Sequence, residues 1–158
     1  MNRLLTVGCV GLVFACASMG GLAEETGVVT SRTALAVGQE ASSSVLDGVF
    51  TSAQARRGGQ VYNQSCVSCH GPDFKGDEMA PSIAGNDFIV FWTEVPVGSL
   101  FERIKVSMPA DDPGRLSDEE YTDVLAYLLD ASSYPSGESE LPADKAALDQ
   151  IMIVAPAE

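Results

Sequence analysis

The chain has one histidine, one tryptophan, few basic residues and no hydrophobic run of membrane-spanning length. A single imidazole excludes a His-rich zinc or copper centre and any mechanism that needs two imidazoles. Only 9 Lys+Arg stand against 22 Asp+Glu, a formal charge of −13. Such a chain repels phosphate backbones and anionic lipid, which excludes nucleic-acid binding by bulk electrostatics. The longest apolar stretch, Leu4 to about Ala17, is about 14 residues, short of the roughly 20 a transmembrane helix needs. No segment shows convincing strand alternation and no internal repeat is visible. Against these shortages, 46% of the 158 residues are hydrophobic and 20% charged. That is enough for one folded domain, with residues left over for targeting and a tail.

Residues 1–23 read as an address. Arg3, the short apolar stretch and then small residues ending Gly21-Leu22-Ala23 fit a secretory signal peptide, with cleavage expected before Glu24. Val13-Phe14-Ala15-Cys16 loosely resembles a lipobox, although Phe14 is large for its place, so a membrane association is expected only if Cys16 is lipidated. Either route exports the product, and a periplasmic location is expected. Cleavage after Ala23 leaves Cys66 and Cys69 as the remaining cysteines. Residues 24–51, rich in Ala, Ser, Thr, Val and Gly without a sustained period, are expected to be a linker or arm.

Helical spacing begins after Ser52, a candidate N-cap, and runs through Ala55, Gly58, Tyr62 and Cys66. Residues 71–87 are loop, and Ser99 is expected to cap a short helix through Leu100, Phe101 and Ile104. Pro109, Pro113 and Gly114 force a loop after Met108. The clearest helix follows: Ser117 and Glu120 make a capping box, and Tyr121, Val124, Leu125 and Leu128 share one face. Residues 135–158 are expected to be an extended C-terminal tail with one helical turn around 143–150. The expected fold is all-α, three to five short helices over about residues 52–134. A core that small is marginal unless something else helps to fill it.

Cys66-Val67-Ser68-Cys69-His70 is the C-x-x-C-H pattern of c-type haem attachment. On one helical turn, residues i and i+3 lie near the same face. Two thiols placed so can each add to one vinyl group of a porphyrin, while the next residue turns its imidazole toward the iron. The apolar ring would also supply the missing core. Competing readings fit less well. A zinc site wants four ligands and finds only three adjacent Cys or His. A thioredoxin-like dithiol wants a strand before it and finds a helical pattern. A disulfide across two intervening residues leaves His70 unexplained.

The second axial ligand cannot be a histidine. Thioether sulfur is soft, suits reduced iron and raises the potential in a His/Met pair. Three methionines follow the motif. Met79 lies close to His70 along the chain, Met152 is in the tail, and Met108 closes a helix just before the stiffening Pro109. Met108 is the favoured ligand, with Met79 the alternative.

With these residues in place, residues 52–131 resemble a small monohaem cytochrome c domain of the soluble, His/Met-ligated class I kind. The resemblance rests on Gly58-x-x-x-Tyr62-x-x-x-Cys66, the haem motif, Pro81-Ser82-Ile83-Ala84-Gly85, Met108-Pro109, and Leu116-Ser117 leading into Tyr121 through Leu128. It implies that the first and last helices cross closely, with Gly58 and Tyr62 meeting Tyr121, Leu125 and Val124. It also implies that the Pro81 carbonyl accepts a hydrogen bond from His70 Nδ1–H, fixing the tautomer. The stretch Tyr134-Pro135-x-Gly137 to Leu141-Pro142 is further similar to cytochromes associated with quinoprotein dehydrogenases.

Phe88, Phe91, Trp92, Leu100, Phe101 and Ile104 are expected to wall the haem, with the Trp92 indole either donating to a propionate or only packing. Arg103, Lys105 and Arg115 either neutralise propionates or are solvated. The acids after Met108, from Asp111 to Asp123, serve a helix N-terminus and suit either a basic docking partner or a plain soluble face. The expected protein is an exported electron carrier rather than an enzyme, with one haem c bound through Cys66 and Cys69. Redox proteins such as a quinoprotein dehydrogenase or a terminal oxidase are its expected partners. The alternatives are a dedicated dehydrogenase subunit, and a haem enzyme or gas sensor with an open sixth position.

Overall fold

Four helices of eight residues or more carry the architecture of the computed structural model, which describes residues 43–156. They are α1 (Ser52–Ser65), α3 (Gly85–Trp92), α4 (Val97–Ser107) and α5 (Asp118–Ala131), with single turns α2 (Val67–His70) and α6 (Lys145–Leu148). The described residues are therefore mainly helical, as expected. The expected leader, residues 1–23, and the part of the arm up to residue 42 lie outside the described residues.

The helix starts follow from which group reaches an orphan amide. At α5, Ser117 Oγ accepts from Glu120 N at 3.2 Å and Glu120 Oε2 accepts from Ser117 N at 2.8 Å, the expected capping box. At α1 the cap is Thr51, not Ser52: Thr51 Oγ1 accepts from Gln54 N at 3.0 Å. At α4, Ser99 is not the cap either. Helical geometry begins at Val97, straight after Pro96, whose fixed φ of −62° suits a helix entrance.

Helices α1 and α5 cross at closest range. A Cβ at Gly58 would collide with Asp123 O, so glycine is what allows the backbones to touch. Of the residues the resemblance implied at this crossing, Tyr121, Leu125 and Val124, it is Val124 that meets Gly58, together with Asp123, which was not named. Tyr62, 1% exposed, sets its ring against Phe74 and Tyr127, with centroids 4.9 and 5.5 Å away.

The segments on either side of the expected domain are built into it. Val45 and Phe50, in the stretch read as arm, are fully buried, as are Leu148 and Ile153 in the stretch read as tail. A short parallel pair joins β1 (Ser43–Ser44) to β2 (Ile151–Met152), and Met152 also bridges to Pro96. The Gln54 side-chain amide pairs with the Leu141 backbone in both directions, at 3.0 and 2.8 Å. Arg57 donates to Asp123 and to Glu140, at 2.9–3.0 Å. Tail residues 135–156 are thus packed and hydrogen-bonded rather than extended into solvent, and the packed unit reaches beyond 52–134 on both sides. No helix among the described residues is long and apolar enough to cross a membrane.

Candidate haem site

The C-x-x-C-H residues sit where α1 breaks. Cys66 leaves helical geometry at φ −127°, and its carbonyl then accepts from Cys69 N at 3.1 Å and His70 N at 3.0 Å. That one turn carries both thiols and the imidazole. The thiols are free, Cys66 half-buried and Cys69 exposed. Burial pushes the Cys66 thiol up to about 11, a shift that Arg115 opposes and Cys69 reinforces, so this sulfur is a protonated thiol at neutral pH.

After the motif the chain doubles back. Tyr62 Oη donates to Gly71 O at 2.6 Å, and Gly76 N donates to His70 O at 2.9 Å. Burial first, and neighbouring acidic groups second, push the Tyr62 phenol up to about 12, so it stays a donor. Asp77 Oδ1 accepts from the amides of Met79 and Ala80, at 2.7 and 3.0 Å. This turn presents Pro81 O at 3.0 Å from His70 Nδ1. A carbonyl can only accept, so Nδ1 carries the hydrogen and Nε2 keeps its lone pair. His70 itself is buried, at 8% exposure.

A cavity of about 890 Å³ opens beside this turn, at the upper end of the range for small-molecule and cofactor sites. Cys66, Cys69, His70, Pro81, Trp92 and Met108 all line it. Phe88, Phe91, Leu100 and Ile104 line it as expected, joined by Ile83 and, from α5, Val124 and Leu128. Phe101 does not. It is buried on the other side of α4, edge-on to Tyr121 with centroids 6.3 Å apart. Arg103 and Arg115 face the cavity, whereas Lys105 pairs with Asp118 at 2.6 Å and is outside it. Of the two candidate sulfurs, Met79 is 92% exposed at the rim, and Met108 is half-buried in the wall.

Met108 is the C-cap of α4, its N–H donating to Ile104 O at 2.8 Å. Its carbonyl accepts from Tyr121 Oη at 2.7 Å. Sequence reasoning placed Tyr121 on the buried face of α5 and missed what its hydroxyl does. A tyrosine at a position where an aliphatic residue would pack as well was the available signal.

The chemistry of the wall fits a haem: an apolar slot, two thiols on one turn, an imidazole nitrogen free to ligate, a thioether sulfur and two guanidinium groups. The family comparison agrees. Residues 53–128 match the family described as cytochrome c oxidase, cbb3-type, subunit III. The chain is 32% identical over 134 residues to cytochrome bc1 complex cytochrome c subunits of Mycobacterium bovis and Mycobacterium tuberculosis, an alignment covering 84% of this chain. It spans 42% of the length of those relatives. A solved structure, the sulfane dehydrogenase SoxCD from Paracoccus pantotrophus, is similar at 18% identity and a TM-score of 0.46, over 67% of this chain and 60% of that one. Over residues 53–128 the chain is thus similar to a cytochrome c family domain.

Proposed function

We propose that this chain is an exported electron carrier for one haem c, whose iron His70 and Met108 would ligate. One observation carries the reading. The oriented imidazole, both thiols and the Met108 side chain line the same apolar cavity. Haem bound there supplies a one-electron couple. Cys66 and Cys69 would hold it, each thiol adding its S–H across one vinyl double bond, so that no oxidant is consumed and nothing leaves. Pro81 holds the His70 tautomer, and the Met108 sulfur supplies the soft second ligand. Trp92, Phe88 and Leu128 keep water from the slot. Arg103 and Arg115 suit the carboxylates of the porphyrin, a role the sequence alone left open against solvation. The N-terminal segment 1–23 acts as the export signal, which places the carrier in the periplasm.

Expression with haem-maturation machinery tests this directly. The mature mass is expected to show one haem added and residues 1–23 removed, with far-red Met–iron absorption in the oxidised form. A colourless product with two titratable thiols refutes the reading. A high-spin spectrum with ready ligand binding would make the protein a sensor or enzyme instead.

A second reading makes the domain a subunit of a redox complex, because the matched family and the mycobacterial relatives are both described as complex subunits. Quinoprotein dehydrogenases and terminal oxidases are the complexes to test. Co-purification at stoichiometric yield separates a subunit from a free shuttle.

A further inference from the structure

We infer that Tyr121 is a positioning residue for Met108, its hydroxyl holding both ends of the ligand loop at once. The inference rests on the reading of Met108 as the second axial ligand. Residues 108–116 carry two prolines and a glycine and have no helix of their own. The loop's ends meet in a long backbone bond, Gly114 N to Met108 O at 3.4 Å, and one side-chain oxygen from α5 bridges the same two groups at shorter range. Tyr121 Oη donates to Met108 O at 2.7 Å and accepts from Gly114 N at 3.1 Å. A hydroxyl has one donor and two acceptor sites, so both bonds form together and each strengthens the other. The tyrosine cannot drift. It is 1% exposed, sits in the first turn of α5 behind the Ser117–Glu120 capping box, and packs edge-on against Phe101 of α4. The Lys105–Asp118 pair ties the same two helix ends together. The carbonyl gripped by Tyr121 and the sulfur offered to iron belong to one residue, so freeing the carbonyl frees the ligand.

Tyr121→Phe keeps the ring and deletes only the oxygen. Tyr134→Phe is the control. Its hydroxyl is also part-buried and donates to a backbone carbonyl, Val154 O at 3.0 Å, but it does not touch the loop. Three readouts apply to the matured haem proteins: the far-red Met–iron band on heating, the helix melt by far-ultraviolet circular dichroism, and carbon monoxide affinity of the reduced form. A lost buried hydrogen bond shifts an equilibrium by about tenfold. Carbon monoxide competes with Met108, so its apparent affinity follows the fraction of molecules with the sulfur off.

Tyr121→Phe is expected to bind carbon monoxide about tenfold more tightly and to lose the far-red band well below its helix melt. Tyr134→Phe should lower the helix melt, lose the far-red band only together with it, and leave carbon monoxide affinity unchanged. Unaltered carbon monoxide affinity in Tyr121→Phe, or an equal change in Tyr134→Phe, overturns the inference. Absence of the far-red band from the unaltered protein is a different result, because it removes Met108 as ligand. Should Tyr121→Phe not mature, exchange of the Tyr121 hydroxyl proton in the unaltered haem protein decides. A slowly exchanging hydroxyl resonance is expected, and exchange at the rate of a solvated tyrosine overturns the inference.

Discussion

His70 is the one imidazole in the chain, and what makes it a usable ligand is a neighbour without a side-chain polar group. Pro81 contributes only its carbonyl, and that carbonyl determines which ring nitrogen is bare. The C-x-x-C-H motif was legible because it is defined by chemistry and short spacing, and Met108, the favoured sulfur, lines the same cavity. Even the His70–Pro81 contact, which the family resemblance implied, is present at 3.0 Å. The roles of Phe101 and Lys105 were not legible. Which face of α4 meets the cavity depends on how the helix is rotated against α5, and that rotation is a property of packing. Substitution of Met108 is the sharpest test at this scale. Met108→Ala leaves the cavity wall and His70 in place but removes the soft donor. The far-red band is expected to vanish, the reduction potential to fall because His/Met ligation is what raises it, and the reduced form to bind carbon monoxide. An unchanged low-spin spectrum would assign the second ligand elsewhere.

At the level of elements, α5 could be read from its residues almost end to end, since a capping box and an i, i+3, i+4, i+7 stripe are both local signals. The expected start of α1 missed by one residue and that of α4 by three, Ser99 against Pro96. Thr51 and Ser52 are both competent caps, and only backbone geometry selects the one whose oxygen meets Gln54 N. The Gly58 crossing was legible as a close approach and at Val124, but not at Asp123. Two expectations follow for these helices. Gly58→Ala puts a methyl group into the Asp123 carbonyl, where the obstacle is backbone that cannot rotate away. It should destabilise the protein by about 1–3 kcal/mol, as overpacking a tight core does, measured by denaturant melts of the haem-loaded form. Ser117→Ala removes one side of the box and should lower stability by about 1 kcal/mol. Because α5 also carries Tyr121, that variant reports on the ligand loop if its far-red band weakens along with its stability.

For the molecule as a whole, the belt formed by residues 43–51 and 135–156 could not be read in advance. Val45, Phe50, Leu141 and Leu148 share no helical or strand period, and the Ile151–Ile153 alternation is too short to stand out. Each is buried by partners far along the chain, and composition alone made both segments look like linker and tail. Arg57 is the clasp between the helical core and this belt, bonded to Asp123 on α5 and to Glu140 in the tail. Its guanidinium holds the Glu140 carboxyl below the ordinary carboxylate range, with Thr51 assisting. A carboxylate whose folded pKa is depressed adds stability that is fully present above its unfolded value, about 4.3, and is lost as pH falls through the folded value. Melting temperatures of the unaltered protein and of Glu140→Gln should therefore differ at pH 6 to 7 and draw together as acid takes the pH down through the depressed Glu140 value. Both partners are close to half exposed, with side-chain exposures of 47% and 46%. Solvent screens such a pair, so the gap at neutral pH should be about a few degrees at most, and smaller still in high salt. If the two melting curves run parallel from pH 7 to pH 3, the clasp contributes nothing through charge, and the belt is held by its buried apolar residues and the Gln54–Leu141 bonds alone.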